Sequence, residues 1–200
     1  MCQLLETIKL ENGILQNIGL HNERFNRSRY ELFGIDEPLQ LENEINLPKN
    51  ISNDIYKCRI IYGRNIEKIE IIPYRIRTIN ALKIVHDNSI QYQYKYQNRD
   101  VINRLYSLKG ECDDVLIVRN GLVTDTSYCN IVFSDGKKLI TPSLPLLKGT
   151  KREQLLSKAV IIEDEIKLSD IYLFKKAFLI NAMIDLENNI GISMDKIICS

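Results

Sequence analysis

The 200-residue sequence contains no C-x-x-C pair, and its five cysteines, Cys2, Cys58, Cys112, Cys129 and Cys199, are odd in number and scattered. That distribution argues against a disulfide framework and against a zinc site, so no metal is expected, and it suits a reducing cytoplasm. No stretch approaches the ~20 consecutive apolar residues of a membrane span. The opening MCQLLETIKLENG carries an early acid and no long apolar run, which speaks against a signal peptide. Neither sign of charge is in excess, with 27 basic against 26 acidic residues. No nucleic-acid or membrane surface is therefore expected, and the partner should be a small molecule. The phosphate loops G-x-x-x-x-G-K-[ST] and G-x-G-x-x-G are missing, as is a G-x-S-x-G nucleophile elbow. His21 and His86 lie far apart in sequence, which leaves a nucleophilic triad little support.

What is present is the composition of a globular protein, 44% hydrophobic and 26% charged. The length suits one domain or two small ones of roughly 100 residues each. LLETIKL and ILQNI flank the turn ENG as a hairpin, and GLHNERFNRSRYELFG reads as a helix closed by Gly34. A second hairpin, IYKCRIIYG with IEKIEIIPY, completes an α+β unit over residues 1–79. Residues 80–200 alternate strands and helices as an α/β unit. The strands are ALKIVHD, IQYQYKYQ, DDVLIVRNG, the hairpin CNIVFSDGKKLITP, AVIIEDEI and AFLINAMIDL, and the helices are NRDVINRLYSLKG, KGTKREQLLSKA and SDIYLF.

Two stretches carry chemistry. Read as an alternating strand, IQYQYKYQNRD puts Tyr92, Tyr94 and Tyr96 on one face and Gln91, Gln93, Lys95 and Gln97 on the other. With the tyrosines packed elsewhere, Lys95 would sit in a polar recess, and a buried lysine rarely exists without a role. Further on, TDTSYCNIVFSDGKKLITPSLPLLKGTKREQLL sets Asp125, Ser127 and Asn130 beside a strand and places Gly149 at the start of a basic helix. Free N–H groups and a partial charge of about +0.5 at a helix N-terminus make a phosphate seat.

This second segment resembles the class IV pyridoxal-phosphate enzymes, the family of branched-chain aminotransferases, D-amino-acid aminotransferases and aminodeoxychorismate lyases. The family signature runs from an acid through a small residue and an asparagine to a threonine and a late L-x-G-x-x-R element. Here those positions are Asp125, Ser127, Asn130, Thr141 and LKGTKR, which includes Gly149, Thr150 and Lys151 and ends in Arg152. HNERF is similar to the family's H-x-x-R-L helix, whose arginine holds the cofactor phosphate, here Arg24. YKYQNR is similar to the lyase-like K-x-x-N-R stretch, whose lysine forms the Schiff base, here Lys95. LINAM resembles a late N-A-L/M strand end, where Asn181 and Ala182 would close round the phosphate.

The resemblance implies a two-domain fold type IV enzyme like D-amino-acid aminotransferase, with pyridoxal 5'-phosphate between the domains and Lys95 in the C-terminal one. It also implies a homodimer and a small amine or amino-acid substrate. In such enzymes the cofactor draws electrons from a carbanion beside its amine carbon. A lysine serves as base, which requires a neutral amine, and a carboxylate, here Asp125, keeps the pyridine nitrogen protonated. K-x-x-N-R and N-A-M lean toward 4-amino-4-deoxychorismate lyase, which releases pyruvate and leaves 4-aminobenzoate, a folate precursor. An amino-acid aminotransferase is the alternative, and a binding protein that kept the fold without turnover is the third reading. Two features depart from the family pattern. Asp125 stands where glutamate is usual, and LETIKL begins almost at Met1, where members carry a further strand and a glycine-rich loop that shapes the mouth of the site.

Overall fold

The computed structural model describes residues 2–48, 52 and 54–199. By packing, the chain forms two units: Met1–Ile76 together with Tyr94–Asn98, and Arg77–Gln93 together with Arg99–Ser200. The first unit opens with strands β1 (Leu4–Glu11) and β2 (Ile14–Leu15), helix α1 (Ile18–Phe33) and the short helix α2 (Leu41–Glu44), and ends with strands β3 (Ile55–Tyr62) and β4 (Ile66–Pro73). Its sheet has the order β2-β1-β3-β4 and is antiparallel throughout.

The sequence dictates these elements locally. Period-two alternation puts Leu4, Glu6, Ile8 and Leu10 of β1 inward, all at 0% exposure. Asn12 and Gly13 both adopt positive φ, 52° and 73°, and pair Glu11 with Ile14 across a two-residue loop, the hairpin geometry that Asn-Gly favours. Helix α1 ends at Gly34, φ 66°, whose N–H returns to the carbonyls of the last turn. The face that α1 buries is mostly polar: His21, Asn22, Arg24, Phe25, Ser28 and Arg29. Asn22 and Asn26 clasp the 39–42 segment through bonds to Leu41 N, Leu39 N and Leu39 O, each 2.9 Å.

The second unit runs β5 (Leu82–His86), α3 (Asp100–Tyr106), β6 (Asp114–Arg119), β7 (Leu122–Thr126), β8 (Asn130–Ser134) and β9 (Leu139–Pro142). It continues through α4 (Thr150–Ser157), β10 (Ile162–Asp164), β11 (Lys176–Ile180), β12 (Gly191–Ser193) and β13 (Ile197–Ile198). Its strand order is β10-β9-β8-β7-β6-β5-β13, with β11 joining β8 to β12. The pairs β5–β6, β5–β13 and β9–β10 are parallel and the remainder antiparallel. The mixed α/β architecture read from the sequence is the one observed. Asp125 lies on a strand of its own, β7, in a stretch between two expected strands that the sequence pattern assigns to no element.

The alternating strand read at IQYQYKYQ does not form. Residues 91–98 make only an isolated bridge, Tyr96 to Leu4. The tyrosines are divided: Tyr94 and Tyr96 pack on the core built from Leu4, Ile8, Phe25 and Ile60, whereas Tyr92 packs on Val85, Ile90 and Ile102. Backbone bonds settle the position of Lys95, since Leu5 N donates to Lys95 O (2.8 Å) and Gln97 N donates to Gln3 O (2.9 Å). These bonds tie residues 94–98 to β1 and hence to the first unit, although the sequence division at 79 placed Lys95 with the C-terminal part.

Candidate active site

In the first unit the site begins with an anomaly. Glu6 occupies an inward position on β1 among leucines and isoleucines, where an unpaired carboxylate would be untenable. Helix α1 answers it. Residues 21 and 24 share one helix face, and from it Arg24 grips Glu6 with both edges of a fork, Nε to Oε1 at 2.8 Å and Nη2 to Oε2 at 2.6 Å. His21 Nδ1 lies 2.6 Å from Oε2, and because a carboxylate only accepts, Nδ1 carries the proton. Burial pushes the Glu6 pKa up, but the Arg24 charge and the bonds from His21 and Arg24 prevail and hold it at about 2. His21 is driven below its ordinary 6.5, by burial first and then, against the pull of Glu6, by the charges of Arg24 and Lys95. The half-buried Lys95 is thus close enough to act electrostatically on this cluster.

In the second unit Asp125 and Asn130 face each other as the directly paired residues of β7 and β8. The turn between them is closed by Thr126, whose N–H reaches Cys129 O at 2.9 Å and whose hydroxyl accepts from Cys129 N at 3.1 Å. Asp125 is 5% exposed. Its Oδ1 accepts from Asn130 Nδ2 at 2.8 Å and its Oδ2 from Leu147 N at 3.0 Å. Both donors are neutral. Burial raises the Asp125 pKa to about 6, and these bonds and the charge of Arg152 oppose it only in part. Ser127 is buried and its carbonyl accepts from Arg99.

Gly149 is the N-cap of α4, with Thr150 buried and Lys151 paired to Asp185 and to Gln154 Oε1, the latter at 2.8 Å. Arg152, at 0% exposure, is a structural anchor: it bonds Pro142 O at 2.9 Å and pairs with Glu153 and Glu163. Asn181 directly follows β11 and bonds Tyr128 O (3.3 Å) and Cys129 Sγ (3.2 Å), so it holds the turn that follows Asp125. Ala182 follows it, half-buried. The expected residues therefore gather in two sets, Arg24 with Lys95 in one unit and Asp125, Ser127, Asn130, Gly149, Thr150, Lys151, Asn181 and Ala182 in the other. Among the described residues no group of histidine, cysteine or acidic side chains could hold a metal ion, and no helix is long and apolar enough to cross a membrane.

Sequence reasoning missed two members, Glu6 and the Leu147 N–H. Glu6 leaves a trace, an acid in register with Leu4, Ile8 and Leu10 on the apolar face of LLETIKL. A main-chain donor such as Leu147 N has no side-chain identity and leaves none.

Comparison with known proteins places the chain. The family profile described as amino-transferase class IV matches residues 3–186. An uncharacterised protein of Haemophilus influenzae is 40% identical over 92% of this chain and 98% of its own length. A solved structure from Haemophilus somnus, provisionally named a 4-amino-4-deoxychorismate lyase, is 32% identical, with a TM-score of 0.84 over 92% of this chain and 97% of that one. A provisionally named amino-acid aminotransferase from Mesorhizobium loti shares the fold at 19% identity and a TM-score of 0.79, each chain covered in full. A hypothetical aminotransferase from Mycobacterium tuberculosis, solved with pyridoxal phosphate bound, shares it at 17% identity and a TM-score of 0.70, over 90% of this chain and 78% of that one. This chain belongs to the class IV aminotransferase family.

Proposed function

We propose that the protein is a pyridoxal-phosphate-dependent lyase of the 4-amino-4-deoxychorismate type, which releases pyruvate and leaves 4-aminobenzoate. The observation that carries the cofactor reading is Asp125, a buried carboxylate with its two oxygens held by neutral donors and its pKa lifted to about 6. Such a group is completed by a cation, and a protonated pyridine nitrogen is one. When bound, pyridoxal phosphate supplies an electron sink for charge that develops beside its amine carbon. Asp125 would keep the proton on the ring nitrogen. Arg24, fixed by Glu6, would present a permanent charge to the phosphate, and the N–H groups that open α4 at Thr150 and Lys151 would add donors. Lys95 would hold the cofactor covalently and move the proton at the reacting carbon.

The lyase is preferred because the Haemophilus somnus relative, so named, is similar over almost its whole length. The likeness to the Mesorhizobium loti protein keeps amino-acid transamination as the second reading. A small amine or amino-acid substrate, a homodimer and a cytoplasmic setting complete the proposal. The test is turnover: 4-amino-4-deoxychorismate should yield 4-aminobenzoate and pyruvate with no keto acid added. Conversion of the bound cofactor to its amine form by a common amino acid, faster than the lyase reaction, would reverse the order of the two readings. Inertness in both assays, with the cofactor fixed by borohydride on Lys95, would point to a binding protein. Borohydride labelling of any other lysine would remove Lys95 from the site.

A further inference from the structure

The Asn130 side chain has more to do than meet Asp125. Its Nδ2 donates to Asp125 Oδ1 and to Leu147 O, both at 2.8 Å, which uses both protons of the amide and fixes its plane. Leu147 in turn sends its own N–H to Asp125 Oδ2 at 3.0 Å. Asp125, Asn130 and Leu147 therefore close a ring of three hydrogen bonds, with the two side chains only 5% and 6% exposed. The other end of the amide, Oδ1, lies against Gly149, and a Cβ built at 149 would collide with it. Backbone conformation gives no other reason for glycine there, because φ −76° and ψ 141° are open to any residue.

We propose that Asn130 is a positioning residue for Asp125 and that residue 149 is glycine in order to admit the Asn130 amide, the two forming one matched brace. The inference rests on the reading that Asp125 holds the proton of the cofactor's ring nitrogen. Without the brace the carboxylate could turn about its side-chain torsions, and one of its oxygens would lose its donor. The brace also assigns Gly149 a part separate from phosphate binding: it keeps a space, and its effect on the cofactor passes through Asn130.

The experiment compares two ligands on the apoprotein, pyridoxal phosphate and the analogue whose ring nitrogen is replaced by CH, with affinities read from absorbance titrations. The wild type should prefer pyridoxal phosphate. Asn130→Ala should cut that preference about tenfold, roughly the worth of one hydrogen bond to a charged group, with little change for the analogue. Gly149→Ala should cause the same selective loss. The double variant Asn130→Ala/Gly149→Ala should be no worse than Asn130→Ala, because the new methyl then meets open space. If Asn130→Ala fails to fold, Gly149→Ala alone decides. Wild-type preference in Gly149→Ala, or an equal loss for both ligands in either variant, overturns the brace. A wild type with no preference overturns the ring-nitrogen role of Asp125 itself, and the brace with it, which separates failure of the functional reading from failure of the brace.

Discussion

Arg24 shows what a single residue owes to its neighbours. From the sequence it is an arginine on a helix, and resemblance makes it a phosphate ligand. The structure adds that Glu6 holds its Nε and Nη2 edge, so its removal does two things at once. Arg24→Ala should weaken pyridoxal-phosphate binding by at least the ~1.5–3 kcal/mol of a charged hydrogen bond. It should also strand Glu6 as an uncompensated buried charge, at about 3–5 kcal/mol of stability. Urea unfolding and cofactor titration separate the two. The pair Glu6→Gln/Arg24→Met should recover most of the stability while cofactor affinity stays low. If the double variant is as unstable as Arg24→Ala, Glu6 does not bear the strain. Lys95→Ala should abolish turnover yet bind the cofactor as the free aldehyde, which absorbance and mass spectrometry would register as a non-covalent complex. Arg24 and Lys95 stand out as candidates in the sequence because their motifs are short and contiguous. Glu6 does not, since its meaning depends on a helix beginning a dozen positions on, and Leu147 acts through its backbone.

At the scale of elements, legibility followed how local the cause is. The Asn12-Gly13 hairpin and the glycine stop of α1 are decided within a few residues, and both were read with sound boundaries. The stretch 91–98 alternates as a strand does, yet it has only the single bridge to β1, and its tyrosines serve two different cores. Alternation predicts a face, but a strand also requires a continuous edge to pair with, and that edge lies far away in sequence. Strands β12 and β13 were missed for the same reason, being three and two residues long and stabilised by partners β11 and β5. Gly34 isolates a local cause cleanly. It adopts φ 66°, and an added Cβ would meet nothing within 4 Å, so Gly34→Ala carries backbone strain without a clash. It should cost about 1–2 kcal/mol in chemical denaturation and leave cofactor affinity unchanged. A shift in affinity would mean that the end of α1 communicates with Arg24.

At the scale of the whole molecule, the buried ionisable groups singled out in the two units respond to acid in opposite senses. In the first, Glu6 titrates at about 2 against an ordinary 4.5, and His21 lies below 6.5. Both bind protons more readily unfolded than folded, so their stabilisation is complete above the ordinary values and is lost on acidification, His21's from 6.5 downward and Glu6's between 4.5 and 2. In the second unit Asp125 titrates at about 6 against 3.8, raised by burial, and burial raises Asp114 as well. For these the folded state is the better proton acceptor. Their penalty is full above the folded pKa and is relieved as the pH falls toward the ordinary value. For Asp125 the shift corresponds to on the order of 3 kcal/mol, at 1.36 kcal/mol per unit. Hydrogen exchange of the apoprotein at pH 7 and pH 5, corrected for intrinsic rates, should therefore show amides of β7 and β8 gaining protection relative to those of β1 and α1. A parallel loss in both units would refute the assignment. Pyridoxal phosphate supplies the discriminating control. A ring N–H held against Asp125 favours the charged carboxylate, so the gain of β7 and β8 between pH 7 and 5 should shrink when the cofactor is bound, and the analogue without a ring nitrogen should leave it intact.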